Sequence, residues 1–259
     1  KLETNMSIYN QVLNNLEELE LIKMKEMLPV ILDQNNKAKQ PLSTLEILQK
    51  LTSSEIVFRD ERAKRVNITI SSFPFVKTLK DFDFDYQPQI NRSYIEDLAT
   101  LRFMKEHNNI VFMGSPGVGK SHLAIAIGVE AASLRYSTYF INFSTLMAKI
   151  KKAIAEQRIE QIIKHYLKYS LLLIDEIGYL PTDRDASYVF FQLIAARYEK
   201  RSTIFTTNQP FSKWGEVFGD NVIASAIVDR IVHHCEIIKI TGQSYRIKGK
   251  MELTKEENL

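Results

Sequence analysis

The sequence predicts an α/β protein in which a parallel five-stranded sheet is flanked by helices and preceded by a small all-helical N-terminal domain. Three observations carry this. Apolar residues recur at helical spacing through residues 7–66. From Asn109 onward, short apolar runs alternate with helical stretches, the pattern of a parallel sheet covered on both faces. A glycine-rich loop follows the first of those runs and opens the next helix, where an open sheet places its phosphate site.

The elements follow in order. Ile8, Tyr9, Val12, Leu13, Leu16 and Leu19 fall at three-and-four spacing, which makes one apolar helix face. A second helix covers Leu21–Asp33, and Pro29 is expected to kink or end it. Ser43-Thr44-Leu45-Glu46 is a capping box ahead of Leu45, Leu48 and Leu51, and Glu55 to Arg65 continues as another helix. Lys1–Asn5, ahead of the first methionine at Met6, is read as a lead outside the fold. Residues 67–90 change character: Pro74, Ser71-Ser72 and the Phe82/Phe84 pair predict an irregular connection. A helix near Ser93–Glu106 precedes the sheet. Strands are expected at Asn109–Met113, Thr138–Asn142, Leu171–Asp175, Thr203–Thr207 and Glu236–Ile240. Helices are expected at Lys120–Leu134, Thr145–Tyr169, Ala186–Lys200 and Asn221–His233. The domains are therefore 7–66, a connection over 67–90, and 91–250.

Composition narrows the function classes. At 45% hydrophobic and 25% charged residues, the 259-residue chain is ordinary globular protein and not a disordered one. Apolar runs such as Leu171–Ile174 are far shorter than the ~20 residues of a spanning helix. One cysteine, Cys235, makes no internal disulfide, and no apolar leader opens the chain. A cytoplasmic protein with no membrane partner is expected. The net charge of +3 is too mild to name a nucleic-acid partner, and residues 1–66 are balanced at ten basic and ten acidic side chains. Between Lys149 and Lys168, however, Lys149, Lys151, Lys152, Arg158, Lys164 and Lys168 face only Glu156 and Glu160.

The chemistry sits in Gly114-Ser115-Pro116-Gly117-Val118-Gly119-Lys120-Ser121, which matches G-x-x-x-x-G-K-[ST]. Glycines let the backbone wrap a polyphosphate, and the following helix offers its positive end to the anion. Lys120 reaches the β- and γ-phosphates, and Ser121 supplies a hydroxyl to Mg²⁺. The strand before and the helix after give the match the context it requires. The run Leu171–Ile174 ends in Asp175-Glu176, so Asp175 is placed on Mg²⁺ and Glu176 as general base for water. A base for water points to hydrolysis. Asn208 closes a third strand; alone it reads as a turn residue, but the order of elements favours a role beside the γ-phosphate. Arg230 has two readings, an ion pair with Asp229 or Glu236, or a functional cation. His233-His234-Cys235 lacks a second cluster to complete a tetrahedral site, so no metal is expected there.

Taken together the motifs resemble those of AAA+ ATPases of the initiator/helicase-loader group, and within it the IstB-like transposition helper ATPases. The resemblance runs from about residue 7 to 247. It rests on Thr78–Phe84, Gly114–Ser121, Asp175–Pro181, Thr206-Thr207-Asn208, Asp229–His234 and Ser244-Tyr245-Arg246. It implies an AAA+ P-loop fold, an ATP- and Mg²⁺-dependent ATPase, and a homo-oligomer on double-stranded DNA that assists a transposase. It implies that Asn208 is the sensor-1 residue and that Arg230 is an arginine finger reaching a neighbouring subunit. Phe82 and Phe84 border the adenine in such proteins, and His122 joins the nucleotide-binding set. Lys149, Lys151, Lys152 and Arg158 match a helical insertion that grips DNA, and 7–66 match a region that contacts DNA or transposase. About twenty residues follow the last strand, too few for the usual helical lid, so the lid is expected to be absent or minimal and Arg246 is left without a role. A helicase loader is the alternative within this group. A small-molecule P-loop kinase would leave 7–66, Asp175-Glu176 and Arg230 unexplained, and Glu176 argues against an ATP-binding scaffold that barely hydrolyses.

Overall fold

The computed structural model describes residues 2–178 and 180–246, with side chains from Ser7 onward. Tyr179 and residues 247–250 of the expected third domain lie outside the described residues. The chain divides into two compact units, Lys1–Arg65 and Val66–Leu259.

The first unit is helical: α1 (Leu2–Glu18), α2 (Ile22–Lys37) and most of α3 (Thr44–Ile70). Leu2–Asn5 are helical here and belong to α1. Leu16, Leu28, Ile31 and Leu51 form its buried core, with Tyr9, Leu13 and Met27 packed against them. The expected stripe on α1 is therefore split, because Ile8, Val12 and Leu19 point to solvent. Pro29 does not end α2, which runs on to Lys37. Burial of Leu28 and Ile31 beside it offsets the missing backbone bond. The capping box is formed: the Ser43 amide donates to Glu46 Oε2 at 2.7 Å, and the Glu46 amide donates to Ser43 Oγ at 3.3 Å. From there α3 is one continuous helix and extends to Ile70, past the point where an irregular connection was expected.

Leu21, ahead of α2, offers no capping side chain. Glu55 of α3 substitutes for it, accepting from the amides of Lys23 at 2.8 Å and Met24 at 3.0 Å and from Arg59 Nε at 2.9 Å. Burial alone would raise its pKa. The Met24 and Lys23 amides and the Arg59 guanidinium outweigh that and hold the carboxyl below its ordinary value.

In the second unit, α4 (Arg92–Ala99) and α5 (Arg102–Lys105) replace the single helix expected near Ser93–Glu106. Leu101 between them takes φ 62°, which breaks the run. The remainder alternates: β1 (Asn109–Gly114), α6 (Lys120–Ser133), β2 (Thr138–Asn142), α7 (Phe143–Ala155), α8 (Ile159–Leu167), β3 (Leu171–Ile177), α9 (Arg184–Arg197), β4 (Ser202–Thr207), α10 (Trp214–Phe218), α11 (Asn221–Val232) and β5 (Cys235–Ile240). The helix expected over Thr145–Tyr169 is interrupted by Gln157 at φ 54°. Short α10 escapes the pattern because five residues are too few to show a helical period.

The five strands form one parallel sheet in the order β2-β3-β4-β1-β5. Its two faces carry separate cores. Ile110, Phe112, Leu171 and Leu173 point to one, with α6 residues such as Leu123 and Ile127. Val111, Leu172, Ile174 and Phe205 point to the other, with Phe190 of α9 and Ile227 of α11. This is the period-two alternation of strands buried on both faces, and it explains why they read as continuous apolar runs. Arg197 ties the α8 end to β4: its buried guanidinium donates to the carbonyls of Tyr166, Tyr169 and Ser202 and to Thr203 Oγ1. The carboxyl ends of β1, β3 and β4 lie together, with β4 between the other two.

Candidate active site

The loop leaving β1 is shaped by glycine. Gly119, which precedes α6, takes φ 100°, and a Cβ there would lie 2.6 Å from the Phe82 ring. Gly117 takes φ 83°, and a Cβ there would lie 2.1 Å from Ser244 Oγ. Only glycine satisfies both the backbone and the space. The Lys120 ammonium is folded back along this loop and donates to the carbonyls of Gly114 and Ser115, each at 2.8 Å. Burial lowers its pKa, against the attraction of Asp175 and Glu176.

Beside it, Ser121 Oγ donates to Asp175 Oδ1 at 2.7 Å. Thr206 Oγ1 of β4 donates to the same oxygen at 2.5 Å and accepts from the Glu176 amide at 2.9 Å. Burial raises the Asp175 pKa, and the Thr206 and Ser121 hydroxyls oppose that. Glu176 belongs to β3, one residue beyond the expected end of that strand. It lies in a register shift between Ile174 and Ile177, with φ 64°. That twist leaves its side chain exposed while Asp175 is buried, so two adjacent acids have different surroundings. Asn142 Nδ2, at the end of β2, donates to Glu176 Oε2 at 2.9 Å.

These residues open onto a cleft of about 360 Å³ lined by Pro116, Gly117, Val118, Gly119, Lys120, Ser121, His122, Glu176 and Asn208. Its size is that of small-molecule sites. Phe82, Asp81, Phe75 and Gln87 form another wall. Phe84 stands behind that wall, edge-on to Phe82 at 4.8 Å. His122 Nε2 is 3.1 Å from the Thr78 carbonyl and its ring is edge-on to Phe82, so it braces this wall; burial lowers its pKa. Residues 241–246 pass over the phosphate loop. The Tyr245 amide donates to the Gly117 carbonyl at 2.9 Å, Gln87 Nε2 donates to the Gln243 carbonyl at 2.8 Å, and Tyr245 and Arg246 line the cleft.

Residues 14–253 match the family described as IstB-like ATP binding protein. The chain belongs to that family. Its IstB-like relatives include the protein named for ATP binding in insertion sequence IS232 of Bacillus thuringiensis subsp. berliner, 48% identical over 93% of this chain and 95% of that one. The counterpart named for IS21 of Pseudomonas aeruginosa is 42% identical over 82% of this chain and 80% of that one. Among solved structures, DnaI superposes with a TM-score of 0.54 at 24% identity, over 63% of this chain and 90% of that one. AMPPCP-bound DnaA from Aquifex aeolicus gives 0.54 at 22%, over 70% and 56%. The fold of this IstB-like chain is thus that of AAA+ P-loop proteins.

Some expected site residues stand elsewhere. Arg230 does not line the cleft. Its guanidinium lies 4.7 Å over the Phe191 ring and makes a long 3.4 Å bond to the Ala226 carbonyl. Neither Asp229 nor Glu236 pairs with it, so the ion-pair reading is not what the structure shows; Glu236 instead accepts from the Tyr94 hydroxyl. In the basic stretch, Lys151 pairs with Asp183 at 2.7 Å, Arg158 with Glu156 at 2.7 Å, and Lys152 with Glu156 at 4.0 Å. Lys164 pairs with Glu160 at 3.0 Å. Lys149 and Lys168 lie over the Tyr139 and Tyr169 rings. Thr206 and Asn142 are the residues that sequence reasoning missed. Each is a polar side chain at the carboxyl end of a strand, which is the signal that would have found them.

Among the described residues, no helix is long and apolar enough to cross a membrane.

Proposed function

We propose that this IstB-like protein is an ATPase that assembles on double-stranded DNA and assists a transposase. The observation that carries the reading is the constellation at the cleft: Ser121, Asp175, Thr206 and Glu176 joined by hydrogen bonds, with Lys120 and Asn208 lining the same cleft. Loop amides and Lys120 bind the β- and γ-phosphates of ATP. Glu176 takes a proton from the water that attacks the γ-phosphorus, the bond to the β-phosphate oxygen breaks, and ADP and phosphate leave. Asn208 orients that water. Ser121 and Asp175, hard oxygen donors already in contact, fit Mg²⁺, which supplies charge neutralisation on the phosphates when bound. Phe82 walls the adenine, with Phe84 packed behind it.

Arg230 lies away from its own cleft, half-buried on α11, with no ion-pair partner among the described residues. Its place supports action on the ATP of a neighbouring subunit in a homo-oligomer. Lys149, Lys151, Lys152 and Arg158 are the proposed DNA contacts. Exposed ion pairs contribute only about 0–1 kcal/mol, so DNA phosphates can displace Asp183 and Glu156. Residues 7–66 serve contacts with DNA or the transposase. Relatives at 48% and 42% identity that carry insertion-sequence names favour transposition over helicase loading.

The test is the steady-state ATP turnover of the full chain with and without duplex DNA. Turnover that rises with DNA is expected. Turnover indifferent to DNA would favour a kinase, and negligible turnover in both conditions a scaffold.

A further inference from the structure

We propose that Glu199, His233 and His234 form a second cation site, built for a borderline transition metal of the Zn²⁺ class. Sequence order alone showed two adjacent histidines with nothing to complete them. Folding supplies the third group. The end of α9 brings Glu199 against the turn between α11 and β5, and each of the three residues offers one ligand atom, all within 4.8 Å of one another.

The distances suit a metal. A tetrahedral Zn²⁺ with bonds of about 2.0–2.2 Å sets neighbouring ligand atoms roughly 3.3–3.6 Å apart. His234 Nε2 and Glu199 Oε1 already stand 3.4 Å apart. The His233 ring is beside them, its centroid 4.2 Å from that of His234. All three side chains are exposed, so small rotations close the remaining separation and water completes the shell.

A supporting group is in place as well. The Tyr198 hydroxyl is 2.7 Å from His233 Nδ1. With His233 Nδ1–H donating to the tyrosine oxygen, His233 Nε2 keeps its lone pair for the cation. That hydroxyl orients one of the ligands, the kind of outer contact that metal-binding imidazoles depend on. Two imidazoles and a carboxylate select zinc, nickel, cobalt or copper over Mg²⁺. The site is therefore chemically distinct from the oxygen-only pair Ser121 and Asp175. Cys235 is half-buried on β5 and stands outside the group.

The experiment uses the full chain without a histidine tag, free of nucleotide and in excess Mg²⁺ to occupy oxygen-only sites. Zn²⁺ affinity is measured by competition with a chromogenic chelator, and Co²⁺ binding by its visible absorption. One metal per chain is expected. His234→Ala and Glu199→Gln should each weaken Zn²⁺ at least tenfold, Tyr198→Phe about 10- to 100-fold, and Cys235→Ser not at all. Circular dichroism checks that each variant stays folded. The proposal is overturned if the wild-type chain takes up no more Zn²⁺ than the His233→Ala/His234→Ala double variant. Loss of the metal in Cys235→Ser would overturn the assigned ligand set.

Discussion

The phosphate cleft and the basic α7–α8 stretch were both read from sequence, yet they fared differently in three dimensions. In the cleft, the motif residues converge: Lys120 folds onto loop carbonyls, Ser121 bonds Asp175, and Glu176 projects outward. In the basic stretch, four of the six cations are drawn into ion pairs, one of them with the distant Asp183. A motif with fixed spacing specifies geometry because the backbone between its members is short. A count of charges specifies none, since long side chains find whichever acids the fold brings near.

The largest effect should come from Arg230. An arginine finger contributes roughly 10³–10⁵ in rate, so Arg230→Ala should lose turnover on that scale, and wild-type turnover should rise steeply with protein concentration. Mixing Arg230→Ala with Lys120→Ala should restore part of the activity, each chain supplying what its neighbour lacks. Concentration-independent hydrolysis by a monomer, indifferent to Arg230→Ala, would return this residue to packing on Phe191.

Next come the two charged groups of the cleft. Lys120→Ala should abolish ATP binding, whereas Glu176→Gln should bind ATP normally and lose about 10²–10⁴ in kcat. Equal loss of binding in both would erase the distinction between phosphate ligand and base.

Thr206→Val keeps the shape but removes the acceptor of the Glu176 amide and one of the two hydroxyls on Asp175. Leaving such groups unsatisfied costs about 1–3 kcal/mol, roughly ten- to hundredfold in kcat, and Thr206→Ser should recover it. A change confined to KM would show that Thr206 does not position the base.

The basic stretch gives a smaller, graded effect. Replacing Lys149, Lys151, Lys152 and Arg158 by alanine should reduce the salt dependence of duplex binding by about 0.9 per lost contact. An unchanged slope would remove α7–α8 from the DNA interface and make the comparison sharper still.

The smallest effect belongs to Glu55. Its carboxyl is held below the ordinary 4.5, so the folded chain takes up that proton less readily than the unfolded one. Its stabilisation is complete above the unfolded value and is lost as pH falls through the lower folded value. Thermal melts from neutral to acidic pH should show this loss in the wild type and less of it in Glu55→Gln.

What was legible followed from local rules. The alternation of strands and helices, the phosphate loop and the Ser43–Glu46 cap each depend on a few adjacent residues. What was not legible depended on strand order and register. Asn142 reaches Glu176 because β2 pairs with β3 so that Asn142 faces Asp175, and Thr206 reaches both acids because β4 lies between β3 and β1. Helix breaks at Leu101 and Gln157 were hidden because non-glycine residues take the left-handed conformation there. Glu199 was invisible beside His233 and His234 until α9 and α11 packed together.

The passage of residues 241–246 over the phosphate loop has a consequence for how the protein is made. Synthesis runs from the N-terminus, and β1 with its loop emerges long before the segments that flank it. Its sheet neighbours β4 and β5 follow about a hundred residues later, and the residues that touch Gly117 and Gln87 come after both. On the ribosome, then, the loop follows the Phe75–Gln87 wall but emerges without Glu176, Asn208 or the segment that crosses it, and the cleft takes its finished form only when that segment has left the exit tunnel. A nascent chain shorter than that has an unfinished cleft, so nucleotide capture waits for the crossing segment.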